Sequence, residues 1–537
     1  MSALKRLAAL SCVGLIATTT ACGSSKSTGP VDGAPNVTIN VGSATPFTTL
    51  DPANAYDSGS WNVYYNIYQQ LFTYMPGANL PTPDAAKDCT NSGVTVTCDL
   101  QPGLEFSNGD ALDANAVKFS LDRVLAIKSK TGVSGLLSTI KSIDVLSPTR
   151  FVLHLTEPDA TMEDRLASGV ASIVDPKVYS ATQAEPNTFS GVVGSGRYVV
   201  QSAQWGNLGG GQQPTELKLA LNPNYKGAAT APQNSYVDVK YYADQNGTKK
   251  ALDDKDADVV IQDLNANDVV TMQNNQQLGS GLQVAQGPGG QVRMMSFNTK
   301  KAPFNDVHVR QAVAELINRS QIASGPYQHT VTPAYSLMPA GIANSSQSFS
   351  MWSTPQRTDG EVRQQLKDAG VSLPVKFTLS YGGGDAAKEA ETKLIAQQLN
   401  STGIFQVGLQ GFPGGVGQMQ SAILTSGNFQ AFMIAWEADY LDADDYISPI
   451  VEGNALYNNY NNPTLDQEIS QALSITPRTS AEKAYKQIQN TIAQDVPVIP
   501  IWTNSQYAAS QANITGVPLT LDDSGTPRWW LIGKTSN

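Results

Sequence analysis

The sequence predicts an α/β fold, because segments with the alternation of a strand lead repeatedly into segments with the periodicity of a helix. In 297–319, FNTKKAPFNDVHVRQAVAELINR, a short strand and a loop precede a helix that Asp306 is expected to cap. In 100–125, a strand and a turn precede a second helix with Asp113 as its cap. The first of these helices would bury one apolar stripe, formed by Val309, Val313, Leu316 and Ile317.

A third helix is predicted near the C-terminus. Thr479 and Glu482 have the spacing of a capping box, ahead of a stripe that includes Tyr485, Ile488 and Ile492. The strand VPVIPIW follows at 496–502. The order of elements therefore remains mixed α/β to the end of the chain.

Length and charge limit the possible classes of protein. The chain has 537 residues, which at roughly 100–200 residues per domain suggests about three folding units. It carries 35 Lys and Arg against 46 Asp and Glu. This acidic balance argues against nucleic acid as a partner.

The N-terminus has the pattern of a targeting segment. Lys5 and Arg6 precede a short apolar region that is too short for an ordinary membrane span. The segment ends in Thr-Thr-Ala before Cys22, which resembles a bacterial lipoprotein cleavage site. We therefore predict a signal peptide at 1–21, a lipid on Cys22 and a flexible tether over 22–36. The alternative is a plain secretory signal followed by a chance cysteine.

Two further cysteines are predicted to form a disulfide. Cys89 and Cys98 flank an Asn-Ser-Gly turn signal, so they are expected on adjacent strands of a hairpin in an oxidising compartment. A redox pair or a zinc site is disfavoured, because the spacing is not CxxC and no histidine lies nearby. The three histidines lie in unrelated contexts, so neither a metal nor a cofactor is predicted.

The run FNTKKAPFNDVHVRQAV closely resembles the internal signature of the peptide-binding receptors of ATP-binding cassette (ABC) importers. These are the oligopeptide- and dipeptide-binding proteins of solute-binding family 5. Further landmarks follow the family order from about residue 37 to 505. The resemblance implies a two-lobed, periplasmic-binding-protein-like fold of type II, in the large cluster with an extra subdomain and a hinged cleft between the lobes.

The same resemblance implies a division of the chain. Lobe I would combine 37–75, 194–298 and the tail 505–537. An accessory subdomain would span 76–193, and lobe II would span 299–504. Repeated crossings between the lobes would form a hinge that closes around a ligand.

The segment 431–450, AFMIAWEADYLDADDYISPI, is the first candidate for ligand binding. It is similar to a Trp-x-x-Asp-Tyr run that lines the cleft of oligopeptide receptors. The resemblance implies that Asp439 binds the free amino group of a peptide and that Trp436 packs against a side-chain pocket. Glu437 and Tyr440 are included among the ligand-binding residues. Alternatively, Asp439 is a solvated turn carboxylate.

Three acids further along, Asp442, Asp444 and Asp445, do not have the spacing of a calcium loop, and we interpret them as a helix N-terminus. Some oligopeptide receptors have an arginine just before the cleft tryptophan strand. Phe432 and Met433 are apolar here, so no residue that would neutralise the carboxylate of a peptide is identified.

The loop of Tyr56, Asp57 and Ser58 is the second candidate. In the family it would supply the opposite wall of the cleft, with its backbone paired to the ligand. An ordinary loop between a strand and a helix is the alternative.

The resemblance implies a monomeric binding protein outside the cytoplasm, lipid-anchored to the outer face of the membrane or periplasmic, that delivers peptides to permease subunits. No catalytic motif of the GxSxG, GxxxxGK[ST] or HExxH type is present, and no enzyme activity is predicted. The alternatives are a non-peptide solute, such as an oligosaccharide, a nickel complex or haem, and a peptide-sensing lipoprotein without transport.

Overall fold

The structure is a computed structural model that describes residues 35–208, 211–277, 279, 281–353, 357–452 and 456–535. The predicted signal peptide and Cys22 lie outside the described residues, as does most of the tether. No helix in the described ranges is both long and apolar enough to cross a membrane.

The strands and helices alternate along the chain as the sequence predicted. The strands are β1 Thr38–Ser43, β2 Phe72–Thr73, β3 Thr82–Pro83, β4 Ala86–Asn91, β5 Thr95–Leu100, β6 Ile140–Ser147, β7 Arg150–Leu155, β8 Tyr198–Asn207, β9 Gln212–Leu221, β10 Tyr236–Tyr241, β11 Val259–Ile261, β12 Leu282–Phe297, β13 Val331–Pro333, β14 Val375–Gly382, β15 Phe405–Phe412, β16 Ala431–Glu437, β17 Val498–Gln511, β18 Ile514–Thr515 and β19 Gly533–Lys534. The α-helices are α1 Ser58–Ile67, α2 Ala114–Ile127, α3 Met162–Arg165, α4 Gln245–Asp253, α5 Ala266–Gln277, α6 Val307–Leu316, α7 Arg319–Ser324, α8 Asp359–Asp368, α9 Ala386–Ser401, α10 Gly415–Ser426, α11 Ala443–Val451, α12 Pro463–Leu473 and α13 Glu482–Asp495. Short 3₁₀ turns lie at Pro52–Asn54, Ser134–Leu137, Gly169–Ala171, Ser348–Trp352, Arg478–Ala481, Val517–Thr520 and Trp529–Leu531.

The largest sheet has the order β15-β14-β16-β12-β17-β11-β1-β10-β9-β8, and β13 pairs with β17 off this path. Strands β12 and β17 are long and antiparallel, and they connect its two halves. The register between them shifts between Pro288 and Val292. Beyond that shift β12 also pairs with β16. Two long strands are therefore shared by both lobes, and the predicted two-lobed α/β fold is confirmed.

A separate four-stranded sheet, β4-β5-β7-β6, lies within the stretch predicted as the accessory subdomain. Cys89 and Cys98 face each other in the β4–β5 register and form a disulfide. The predicted hairpin and its bridge are confirmed. The boundaries of the three sub-regions stay a prediction.

Two of the predicted helix starts are confirmed, and one is wrong. The side chain of Asp306 accepts a hydrogen bond from the backbone of α6, and that of Asp113 accepts two from α2. The predicted capping box at Thr479 and Glu482 does not form. The chain makes a 3₁₀ turn over Arg478–Ala481, and α13 begins at Glu482 with Ala481 at its cap and no side-chain bond. Arg478 binds both carboxylate oxygens of Asp442, so a distant ion pair fixes this turn.

A buried ion pair joins helix α2 to the 3₁₀ turn that begins at Pro52. Arg123, on α2, donates to both oxygens of Asp51 at 2.6 and 2.7 Å. Its guanidinium also donates to the backbone oxygens of Ser180 and Gln183. The two charged side chains are at most 1% exposed, so the bidentate pair offsets the cost of burying both charges.

Candidate functional site

The first candidate segment lies between the end of a central strand and the start of a helix. Strand β16 is antiparallel to β12 and parallel to β14. Helix α11 follows it, with Asp442 as its cap and Asp444 and Asp445 in its first turn. The interpretation of these acids as a helix N-terminus is therefore confirmed. Asp439 lies in the short connection between β16 and α11, outside the sheet.

Asp439 meets a residue from the other candidate segment. The hydroxyl of Tyr56 donates a hydrogen bond to Oδ2 of Asp439 at 2.9 Å. Burial raises the pKa of Asp439 from its usual 3.8 to about 7, and the bond from Tyr56 opposes this increase. Within the described ranges, no lysine or arginine forms an ion pair with Asp439. The side-chain hydrogen bond to Asp439 therefore comes from a neutral hydroxyl, and the charge of Arg165 acts on it only from a distance.

Trp436 and Asp445 hold the backbone around Asp439. The indole Nε1 of Trp436 donates to Oδ2 of Asp445 at 3.3 Å, and the backbone N–H of Asp439 donates to the same oxygen at 2.9 Å. Burial raises the pKa of Asp445 well above its usual value, and the charge of Asp439 adds to the increase. Two carboxyl groups thus compete for protons within one small region.

Tyr440 points away from Asp439 into a buried polar cluster. Its hydroxyl donates to Oδ2 of Asp444 at 2.8 Å. Arg165 donates to the same oxygen at 3.0 Å, and its guanidinium lies 4.8 Å from the centre of the Tyr440 ring. Arg165 also pairs with Asp159. Tyr440 therefore supports the segment from behind, and its predicted contact with a ligand stays a prediction.

Asp57 and Ser58 occupy the start of α1. Asp57 caps this helix by accepting from the backbone of Ser60, and it also accepts from the hydroxyl of Thr48. These bonds are those of an ordinary loop that enters a helix, which was the alternative for this segment. Ser58 is exposed and lines a cavity.

Two adjoining cavities lie beside these segments. The smaller, of about 180 Å³, is lined by Ser58, Glu437 and residues of β1 and β10. The larger, of about 920 Å³, lies between 244–269 on one side and 326–331 with 384–390 on the other. Thr45, Gln262 and Asp263 line both cavities. Because they share these residues, the two cavities are referred to together as the cleft.

Glu437 and its strand partner Gln291 line different cavities. Glu437 lines the smaller one, and Gln291 lines the larger one. The surrounding protein desolvates this carboxyl group and raises its pKa, whereas a hydrogen bond from Gln291 lowers it. Of the predicted residues, the structure brings Tyr56 and Asp439 into contact and places Glu437 and Ser58 in the cleft wall.

Sequence reasoning missed Arg165 and the amide side chains of the cleft. Arg165 is 279 positions from Asp444, and nothing in its local sequence indicates an ion pair at that distance. Gln291 and Asn504 come from the long strands β12 and β17. No signal in the sequence indicated them, because only the sheet topology reveals their position near the register shift.

Comparisons with known proteins agree with this architecture. A family model described as "Bacterial extracellular solute-binding proteins, family 5 Middle" matches residues 81–458. The glutathione-binding protein GsiB of Pectobacterium atrosepticum is 26% identical over 91% of this chain and 92% of its own. GsiB of Escherichia coli is 25% identical over 90% of this chain and 92% of its own.

Solved structures share the fold. A dipeptide-binding protein from Pseudoalteromonas, in complex with Met-Leu, has a TM-score of 0.75 and 17% identity, covering 93% of this chain and 100% of that one. The Helicobacter pylori protein DppA, in complex with the peptide STSA, has a TM-score of 0.76 and 18% identity, covering 93% and 98%. At these identities the likeness establishes the two-lobed fold.

Proposed function

Since the chain belongs to family 5 of the bacterial extracellular solute-binding proteins, we propose that it captures peptides in the interlobe cleft and delivers them to the permease of an ABC importer. The family fixes the coarser role: the chain is a solute-binding component of an ABC transporter that works outside the cytoplasm. The peptide is our proposal. Relatives whose names give glutathione, and structures with bound Met-Leu or STSA, support it.

The observation that carries the proposal is the raised pKa of Asp439 together with its uncharged hydrogen-bond partner. Its pKa is raised to about 7 by burial, and its direct partner is the neutral hydroxyl of Tyr56. A carboxylate in this position is stabilised most by a cation that has lost its hydration shell on binding. The free amino group at the start of a peptide is such a cation, and the Tyr56 side chain that contacts the carboxylate is exposed.

The remaining parts of the site suit a peptide that lies along the cleft. Strand β16 ends close to Asp439 in the chain, and the backbone of its last residues would pair with a peptide main chain. Such pairing is independent of sequence. Trp436 is partly buried at this strand end and would contact the first side chains of the peptide.

Thermal shift with peptides at neutral pH tests the proposal. A free-amine peptide mixture should raise the melting temperature, and Asp439→Asn should weaken binding by at least about thirtyfold, because loss of one partner of a buried charge pair costs roughly 2–5 kcal/mol. Asp385→Asn is the matched control. Asp385 lines the larger cavity and caps α9, and asparagine is also a good cap.

If both variants lose the same peptide affinity, the overall negative electrostatic field of the cleft attracts the solute, and amine capture by Asp439 does not. Equal stabilisation by N-acetylated peptides or by sugars would contradict amine capture directly. Mass spectrometry of solutes retained through purification gives an independent answer.

We also propose that Cys22 carries lipid and tethers a monomeric body to the outer face of the membrane. The support is the cleavage pattern before Cys22. A Cys22→Ala variant should move from the membrane fraction to the soluble extracytoplasmic fraction. Retention on the membrane would contradict the lipid anchor.

A further inference from the structure

The described lining of the cleft contains acidic and amide side chains but no basic ones. Neither cavity has a lysine, arginine or histidine among its described lining residues, whereas Asp244, Asp263 and Asp385 line the larger and Glu437 lines the smaller. Asp439 lies two positions after Glu437, outside the described lining of both cavities, and the charge of Glu437 acts on it. Unlike charges attract a solute and like charges repel it, so the field within this cleft disfavours an anionic group.

Most of these acids already have structural partners. Asp263 accepts from the hydroxyls of Ser43 and Thr45, both at 2.6 Å. Asp244 caps α4. Asp385 caps α9 and pairs with Lys388 at 3.0 Å. Lys388 is therefore already engaged in an ion pair with an acid of this wall.

Uncharged hydrogen-bonding groups form much of the remaining wall. Gln262, Asn265, Gln291, Asn504 and Gln506 all line the larger cavity. An amide side chain offers both donors and acceptors, so it can pair with peptide groups and hydroxyls. Oε1 of Gln506 has no hydrogen-bond partner within the described residues, although its Nε2 donates to the backbone of Asp522. Buried polar atoms are normally paired, so this oxygen is an unsatisfied acceptor within the wall of the larger cavity.

We propose that the solute enclosed by the cleft is a peptide-like amine without a free carboxylate, such as a peptide whose C-terminus is an amide. This inference rests on the peptide capture proposed above. The amine binds at Asp439, and the amide side chains bind the uncharged body. A carboxylate at the far end would lose water without gaining a cation, while several acids repel it.

One peptide in four forms tests the amine and the carboxylate separately. The peptide Gly-Gln-Ser-Ala is prepared as the free acid, the C-terminal amide, the N-acetyl acid and the N-acetyl amide, and binding is measured by calorimetry at about pH 7.5. The amide should bind about tenfold tighter than the acid, because one unpaired charge is removed from the cleft. Glutathione, which carries two carboxylates, should bind more weakly than the amide.

The outcomes for the two proposals are distinct. A free acid that binds as tightly as the amide, or glutathione that binds more tightly, overturns the inference and leaves amine capture intact. Equal binding of the acetylated and free-amine forms overturns amine capture. The ratio of the dissociation constants of the acid and the amide still tests the inference in that case. Failure of the amide to bind overturns both.

A cation placed in the cleft gives a second test. Gln245 is exposed and lines the larger cavity, so Gln245→Lys should reduce the preference for the amide several-fold. Gln283→Lys, an exposed position on β12 outside both cavities, is the control and should leave the preference unchanged. An unchanged preference in Gln245→Lys, or an equal reduction in both variants, counts against the inference.

Discussion

The hydroxyl of Tyr56 donates a hydrogen bond to Oδ2 of Asp439 at 2.9 Å, although 383 positions separate the two residues in the chain. Tyr56 precedes the first helix of the described chain, and Asp439 follows strand β16. The contact joins the two segments in which the sequence predicted a ligand site. It gives a partly buried carboxyl group a neutral partner that a cationic group could supplement or displace.

Replacement of Tyr56 by phenylalanine should raise the pKa of Asp439 above about 7, because the hydrogen bond from Tyr56 lowers it. The apparent pKa that governs binding of a free-amine peptide should rise with it, and calorimetry over a pH series measures this value. Tyr236→Phe makes the same chemical change on β10 and should leave the binding profile unaltered. An unchanged profile in Tyr56→Phe would mean that the hydroxyl does not control this carboxyl group.

The pH dependence of stability should change in Asp439→Asn. The pKa of Asp439 in the folded protein, about 7, lies above the usual 3.8, so the folded state binds this proton more tightly than the unfolded state. The stability that the proton contributes is fully present below the usual pKa and is lost as the pH rises through about 7. Asparagine cannot ionise, so it avoids this loss.

Melting temperatures of the solute-free wild type and Asp439→Asn should therefore diverge with rising pH. The melting temperature of the variant should rise relative to that of the wild type between about pH 5 and about pH 8. Asp254→Asn is the control, because Asp254 is an exposed partner of Lys250. A difference that is constant with pH, or that changes in the opposite direction, would show that Asp439 has no raised pKa in the free protein.

The buried pair of Arg123 and Asp51 should be essential for stability. Arg123→Met would leave the carboxylate of Asp51 buried without its cation, which typically costs roughly 3–5 kcal/mol. Arg150→Met is the matched control. Arg150 pairs with Asp99 at 3.5 Å, and the two side chains are 51% and 44% exposed, so its loss should cost less than about 1 kcal/mol. Urea denaturation of both variants compares the costs, and equal midpoints would be contrary to this expectation.

The elements that the sequence predicted correctly depend on nearby residues. Asp306 and Asp113 cap helices two or three positions away. Cys89 and Cys98 are separated by nine positions and a turn. The failed capping box at Thr479 and Glu482 shows the limit of this reasoning. Its spacing is correct, but the ion pair between Arg478 and Asp442 fixes a different turn.

The candidate site was predictable in part. The end of β16 and the acidic start of α11 follow from their own residues, and the resemblance to the peptide receptors selected Asp439. The contact with Tyr56 was not predictable, because hydrogen bonds between residues far apart in the chain depend on how the lobes are joined. The same holds for Gln291 and Asn504, which enter the cleft wall through β12 and β17.

The sequence by itself determined the α/β class, the hairpin disulfide and the family, because these depend on local periodicity, turn chemistry and a long collinear motif. The tertiary structure decided which carboxyl groups acquire a cation and which do not. Asp51, Asp442 and Asp444 receive buried arginines from distant segments, whereas Asp439 receives a hydroxyl. That difference arises from three-dimensional proximity, because the free energy of a buried charge is set by the groups around it rather than by its neighbours in sequence.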